Sequence, residues 1–249
     1  MELVKVNNLR KVFPKHKVTA VDGVSFSVNE GEVVGLVGES GCGKSTLGRS
    51  IIRLIHAEEG NVFYKGEDLL KLPRRKMRSM RRHLQMIFQD PYTSLDPRVR
   101  IGDILEEVFI IHENFSRGER RRKAEEALET VGLGASYLNR LPSDISGGER
   151  QRIGIARALA TDPEFIICDE PVSSLDLSVQ AQILNLLTDI QKRKNLAYLF
   201  ISHDLGVIGA ICDRVMVMNA GRLVETGTCE NIFKDPKHEY TKRLLDAVR

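Results

Sequence analysis

The nine residues GESGCGKST, Gly38 to Thr46, stand between an apolar run, VVGLV (33–37), and a segment with helical periodicity. They contain G-x-x-x-x-G-K-S at a strand-to-helix junction, and each residue type there answers a need of triphosphate binding. Gly38, Gly41 and Gly43 let the backbone bend around an anion and turn its N–H groups inward. Lys44 is placed to reach the outer phosphates, and the Ser45 hydroxyl to ligate Mg²⁺. The next helix presents its positive end to the same ligand. Ser40 and Thr46 belong to the same cradle, so the chain is expected to bind a nucleoside triphosphate.

Outward from this loop, strand and helix signals alternate. LVKV (3–6) and VDGVSFSV (21–28) have the period-2 pattern of strands. VVGLV, LQMIF (84–88), FIIC (165–168) and AYLFIS (197–202) are short continuous apolar runs, as expected of strands buried on both faces. GNVFYKG (60–66) reads as a further strand, and VMVM (215–218) with RLVET (222–226) as a closing hairpin turning at Ala220-Gly221. Helices are expected from Lys44 to about Ile55, over Pro73–Arg82, over 177–193 and over His238–Val248. The charged, helical stretch from about 95 to 160 reads as an insertion. The implied fold class is α/β: one domain over 1–249 with a mainly parallel sheet and helices on both faces, an N-terminal antiparallel β part, an inserted α-helical subdomain and a helical tail over about 235–249.

Composition narrows the class. The chain has 249 residues, 42% hydrophobic and 29% charged, which suits a globular domain that needs no covalent staples. A net charge of +3 is too small to argue for nucleic acid. Cys42, Cys168, Cys212 and Cys229 show no C-x-x-C spacing, so neither a zinc site nor a redox pair is expected, and a reducing, cytosolic setting fits. No secretory signal is expected, and no apolar run approaches the ~20 residues that span a bilayer.

Further chemistry gathers at strand ends. FIICDEP puts Asp169 and Glu170 at the end of an apolar strand, where open α/β sheets bind ligands. Asp169 is expected to hold the Mg²⁺ shell, directly or through water, and Glu170 to orient or deprotonate a water attacking the γ-phosphate. Gln89 ends LQMIF with an amide able to ligate Mg²⁺ or water. His203 comes after AYLFIS, where it is expected to contact a γ-phosphate oxygen and act in catalysis. ISGGE (145–149) opens a helix with Ser146, Gly147 and Gly148, a second anion-binding device about 100 residues from the first.

The order of phosphate loop, Gln89 loop, SGG signature, strand plus Asp169-Glu170, SSLD (173–176) and His203 resembles the ATPase subunit of an ABC transporter over essentially the whole chain. The resemblance implies a P-loop NTPase core with ATP and Mg²⁺ as ligands, and Lys44, Gln89, Glu170 and His203 as catalytic groups. It implies a head-to-tail dimer that holds ATP between Gly38–Thr46 of one subunit and Ser146-Gly147-Gly148 of the other, with Asp176 at the seam. Phe13 would stack on adenine, where the family more often has Tyr. Glu149 stands where Gln is usual.

Within the family, QDPYTSLDPR (89–98), DEPVSSLDLSVQAQILNLL (169–187) and the tail DPKHEYTKRLLDAV (235–248) resemble the oligopeptide, dipeptide and nickel importer ATPases of bacteria, with Glu239 in place of a usual proline. Longer members add a cysteine cluster for an iron–sulfur centre, and none is expected here. The implied partners are two transmembrane permease subunits, a second ABC ATPase subunit, paralogous or identical, and indirectly an extracytoplasmic solute-binding protein. The implied place is the cytoplasmic face of the bacterial cell membrane. RRKMRSMRR (74–82), with no aromatic interleaved, reads as a solvated helix face near membrane partners, and nucleic acid is not expected as a partner. Two other accounts stay open: an ABC ATPase acting on nucleic acid, and one borrowed by a soluble assembly such as a carbon–phosphorus lyase complex.

Overall fold

The structure, a computed structural model, describes residues 1–246, apart from the side chains of His16, Pro91 and Thr93. The chain opens with β1 (Glu2–Phe13), β2 (Val18–Asn29) and β3 (Val33–Val37), then α1 (Lys44–Ile51), β4 (Glu59–Tyr64), β5 (Glu67–Asp68), α2 (Arg74–Met80) and β6 (Leu84–Ile87). Four helices come next: α3 (Pro91–Ser94), α4 (Ile101–His112), α5 (Arg117–Thr130) and α6 (Gly147–Leu159). The rest runs β7 (Phe165–Asp169), α7 (Leu177–Lys194), β8 (Ala197–Ile201), α8 (Leu205–Ile211), β9 (Arg214–Asn219), β10 (Arg222–Thr228), α9 (Cys229–Lys234) and α10 (Glu239–Asp246). The last stretch of the helix expected to Val248 lies outside the described residues.

Among the described residues, β2-β1-β4-β5 form an antiparallel sheet and β10-β9-β3-β8-β7-β6 a second, larger one. In the larger sheet β9, β3, β8, β7 and β6 run parallel, and β10 is antiparallel at the edge. The apolar runs explain this layout, because alternate residues of one strand serve two cores. Val34, Leu36, Phe165, Ile167, Leu199 and Met216 pack toward α1 and the antiparallel sheet. Val33, Val37, Ile166, Cys168, Phe200 and Val215 pack toward the helices of the opposite face. Each such side chain, fully buried, contributes roughly 1.5–3 kcal/mol of hydrophobic stabilisation. Helices therefore cover both faces as expected, but on one face α1 and Met77 of α2 share the cover with the antiparallel sheet.

The expected helices take somewhat different bounds. The first stops at Ile51, because Arg53 adopts a left-handed conformation (φ 54°) and the N–H groups of Leu54 and Ile55 fold back to the Arg49 carbonyl. The Arg53 guanidinium then fixes the turn on the carbonyls of Leu69 and Leu72 at 2.8 and 2.6 Å. In the inserted stretch, α5 starts at a reciprocal Ser116–Glu119 capping box, a device of about 1 kcal/mol. Its Arg122 pairs with Glu126, whereas Arg121 reaches across to Glu106 of α4. Ile101, Leu105 and Leu128 of α4 and α5 share one apolar cluster with Val37 and Cys168 of the sheet.

Candidate functional site

β3, β8, β7 and β6 are neighbours and parallel, so their C-terminal ends form one edge. The phosphate loop leaves β3, His203 comes after β8, Asp169 and Glu170 close β7, and Gln89 comes after β6. Four segments distant in sequence thus meet by sheet order alone.

Gly38, Gly41 and Gly43 have φ of 154°, 79° and 111°. At Gly43, which caps α1, a Cβ would collide with the Ala20 carbonyl as well as strain the backbone. Lys44 is 4% exposed, and its ammonium donates to the carbonyls of Gly38 and Glu39 at 2.7 and 2.9 Å. The next residue, Ser45, donates its hydroxyl to Asp169 Oδ1 at 2.7 Å.

Asp169 is fully buried, and burial pushes its carboxyl above the ordinary range, the Ser45 hydrogen bond and the Arg49 charge opposing this. Its Oδ2 has no hydrogen-bond partner, with Arg49 Nη2 3.6 Å away. A buried carboxylate oxygen without a donor, beside a hydroxyl at the start of a helix, is a hard-oxygen set that fits Mg²⁺. Among the described residues no group of three or more His, Cys, Asp or Glu could hold a metal ion. A magnesium here would therefore need ligands besides Ser45 and Asp169.

Glu170 is left-handed, at φ 45°, a conformation that costs a non-glycine residue on the order of 1 kcal/mol. Its N–H donates to the Ile201 carbonyl at 3.0 Å, which holds the turn. The turn separates two adjacent carboxylates: Asp169 stays with Ser45, and Glu170 Oε2 accepts from Gln89 Nε2 at 3.0 Å and meets His203 Nδ1 at 3.2 Å. A cavity of about 650 Å³ is bounded by Ser40, Gly41, Gly43, Lys44, Ser45 and Thr46 on one side and by Gln89, Glu170 and His203 on the other.

The other expected residues lie elsewhere. Phe13 is outside the cavity wall, with Lys11 Nζ 5.0 Å from its ring centroid. Ser146 caps α6 and forms a reciprocal box with Glu149, whose carboxylate also accepts from the Tyr137 hydroxyl. That bond holds Glu149 below the usual carboxylate range. Gly147 and Gly148 lie beside Leu175 and Val179, so SGG meets the far end of the SSLD segment, and SGG itself does not line the cavity. Sequence reasoning passed over Arg49, four residues beyond Ser45 and so on the same helix face, and named Ser173 and Ser174, which border the cavity, only as part of SSLD.

A second concave region adjoins Gln89. One groove of about 610 Å³ includes Phe88, Gln89, Leu54 and Ile111. It shares Leu54, Arg81, Ile111 and His112 with a hollow of about 780 Å³ that also holds Arg53, His56, Arg74 and Arg78. The basic run is therefore the wall of a hollow.

Residues 21–173 match the family model described as ABC transporter. The chain is also 51% identical to the oligopeptide transport ATP-binding protein OppF of Bacillus subtilis, over 99% of this chain and 82% of that one. The chain belongs to the ABC transporter family. As an ABC ATPase it binds ATP. It is 48% identical to AppF of Bacillus subtilis and 50% identical to a putative peptide import ATP-binding protein of Brucella ovis, in each case over 99% of this chain and 78% of the relative. Its fold matches the dimeric, post-hydrolysis ATP-binding cassette MJ0796 bound to ADP and Pi, with a TM-score of 0.82 and 28% identity over 91% of this chain and 99% of that one. Among the described residues no helix is long and apolar enough to cross a membrane.

Proposed function

We propose that this ABC ATPase is the ATP-hydrolysing subunit of a bacterial peptide importer, working with two permease subunits and a second ATPase subunit at the cytoplasmic membrane face. The convergence of Gln89 and His203 on one oxygen of Glu170, across a cavity from Lys44 and Ser45, carries the hydrolytic reading. Similarity of 48–51% to oligopeptide transport proteins supports peptide as the cargo. Glu170 accepts the proton of the attacking water, His203 and Gln89 fix its carboxylate, and Lys44 with the loop N–H groups holds the phosphates. Mg²⁺, when bound, neutralises charge on the phosphates. Ser45 and Asp169, with Gln89 as a third candidate, are the residues that would hold it. Ser146, Gly147 and Gly148 serve the nucleotide of a facing subunit, and Phe13 stacks on adenine at the rim. The complex purified from membranes should hydrolyse ATP faster when a peptide-loaded binding protein is added. Recovery of the chain only in a soluble enzyme assembly, with no permease, would overturn the importer reading.

Two results are expected from this assignment. Asp169→Asn should retain ATP binding in EDTA while the gain in affinity on adding Mg²⁺ shrinks by about tenfold or more, read by titration with a fluorescent nucleotide. Equal Mg²⁺ dependence in variant and wild type would remove Asp169 from the metal's surroundings. The basic hollow is the permease-facing side. Arg74→Glu combined with Arg78→Glu should lower permease co-purification several-fold, more so at low salt, with ATP affinity of the isolated subunit unchanged.

A further inference from the structure

The C-terminal helix reaches the phosphate loop. Tyr240 of α10 is 5% exposed in the helix-side core, and the Glu39 backbone N–H donates to its hydroxyl at 3.0 Å. The two residues are 201 positions apart, and Tyr240 lies beyond the 21–173 stretch matched by the family model. Glu39 is a hub of the loop. Its carbonyl accepts from Lys44 Nζ at 2.9 Å and from the Cys42 N–H at 3.3 Å. The residue that Tyr240 grips from outside thus also supplies a carbonyl that holds the buried ammonium.

The grip is itself anchored. Glu225 of β10 accepts from the N–H groups of Lys237 and His238 at 2.7 and 3.0 Å, and the Tyr240 N–H donates to His238 Nδ1 at 3.1 Å. From the same β9–β10 hairpin, the Gly221 N–H donates to the Cys42 carbonyl at 3.0 Å. The loop is glycine-rich and would sample many conformations if free. The C-terminal part of the chain braces it at Glu39 and Cys42, and of these two contacts only Tyr240's is made by a side chain.

We propose that Tyr240 is a positioning residue of the nucleotide site, its hydroxyl fixing the Glu39 peptide and with it the loop shape that receives the triphosphate. The inference rests on the ATPase reading. Pre-ordering a loop raises affinity by lowering the entropy lost on binding. Tyr240→Phe keeps the ring in the core and removes only the hydroxyl.

The test compares Mg·ATP hydrolysis by wild type and Tyr240→Phe, with denaturant unfolding of both in the absence of nucleotide. Loss of one hydrogen bond should raise KM for ATP about three- to tenfold, with kcat within about twofold and a corresponding rise in the nucleotide dissociation constant. A purely structural contribution would instead reduce the active fraction, seen as lower kcat at unchanged KM, and that result overturns the proposal. Unchanged KM and kcat overturn it as well. A wild-type protein that neither binds nor hydrolyses Mg·ATP would sink the ATPase reading itself, before any variant is compared.

Discussion

Glu170→Gln is expected to bind Mg·ATP at least as tightly as wild type and to hydrolyse it about 10²–10⁴-fold more slowly, the range ascribed to a positioned general base. The substitution is nearly isosteric. The amide oxygen can still accept from Gln89 or His203, which now both address Glu170 Oε2, so the turn at φ 45° keeps its partners. The basicity that takes a proton from water is lost, and so is a negative charge facing the triphosphate, which favours the bound state. With hydrolysis blocked, the closed nucleotide-sandwich dimer should accumulate, visible as an ATP-dependent shift to twice the monomer mass in size-exclusion chromatography. Gln89→Ala or His203→Ala leaves the base in place but unanchored, and the expected loss is smaller, up to about 10²-fold for a misplacement near 1 Å. Wild-type turnover in Glu170→Gln would assign the proton transfer to another group.

Much of this site was legible because it is written at strand ends. The runs VVGLV, LQMIF, FIIC and AYLFIS announce strands buried on both faces, and each gives way to a loop at the ligand-binding edge. The order β3-β8-β7-β6 was not legible from any one run. It is this order that brings Gln89, Glu170 and His203 onto one oxygen. The length of β1 was hidden for a different reason. Its pattern is clean over LVKV and then breaks, because Asn8 is left-handed and the register slips between Val6 and Leu9 and again at Lys11. The short helices α8 and α9 also escaped notice, having only their caps, Asp204 and Thr228, as local signals. The brace from Tyr240 to Glu39 has no local signal at all, since it is created by tertiary packing.

Lys44→Ala is expected to remove most of the nucleotide-dependent stability of the protein. The ammonium is buried and held by two loop carbonyls. Hydrogen bonds to a charged group contribute about 1.5–3 kcal/mol each. Replacing the side chain leaves the Gly38 and Glu39 carbonyls without it and removes the cation that meets the outer phosphates. A loss of about 3 kcal/mol in binding is roughly a hundredfold in affinity. At a Mg·ATP concentration about 100 times the wild-type dissociation constant, binding stabilises the wild type by about 2.7 kcal/mol. For a domain of this size that is a rise in Tm of about 5–11 °C. At the same concentration the variant, half saturated, gains about 0.4 kcal/mol, or roughly 1 °C. Lys44→Met, which keeps an unbranched apolar stem, should behave like Lys44→Ala toward ATP while losing less stability without nucleotide. An undiminished thermal shift in both variants would show that the phosphates are held without the ammonium.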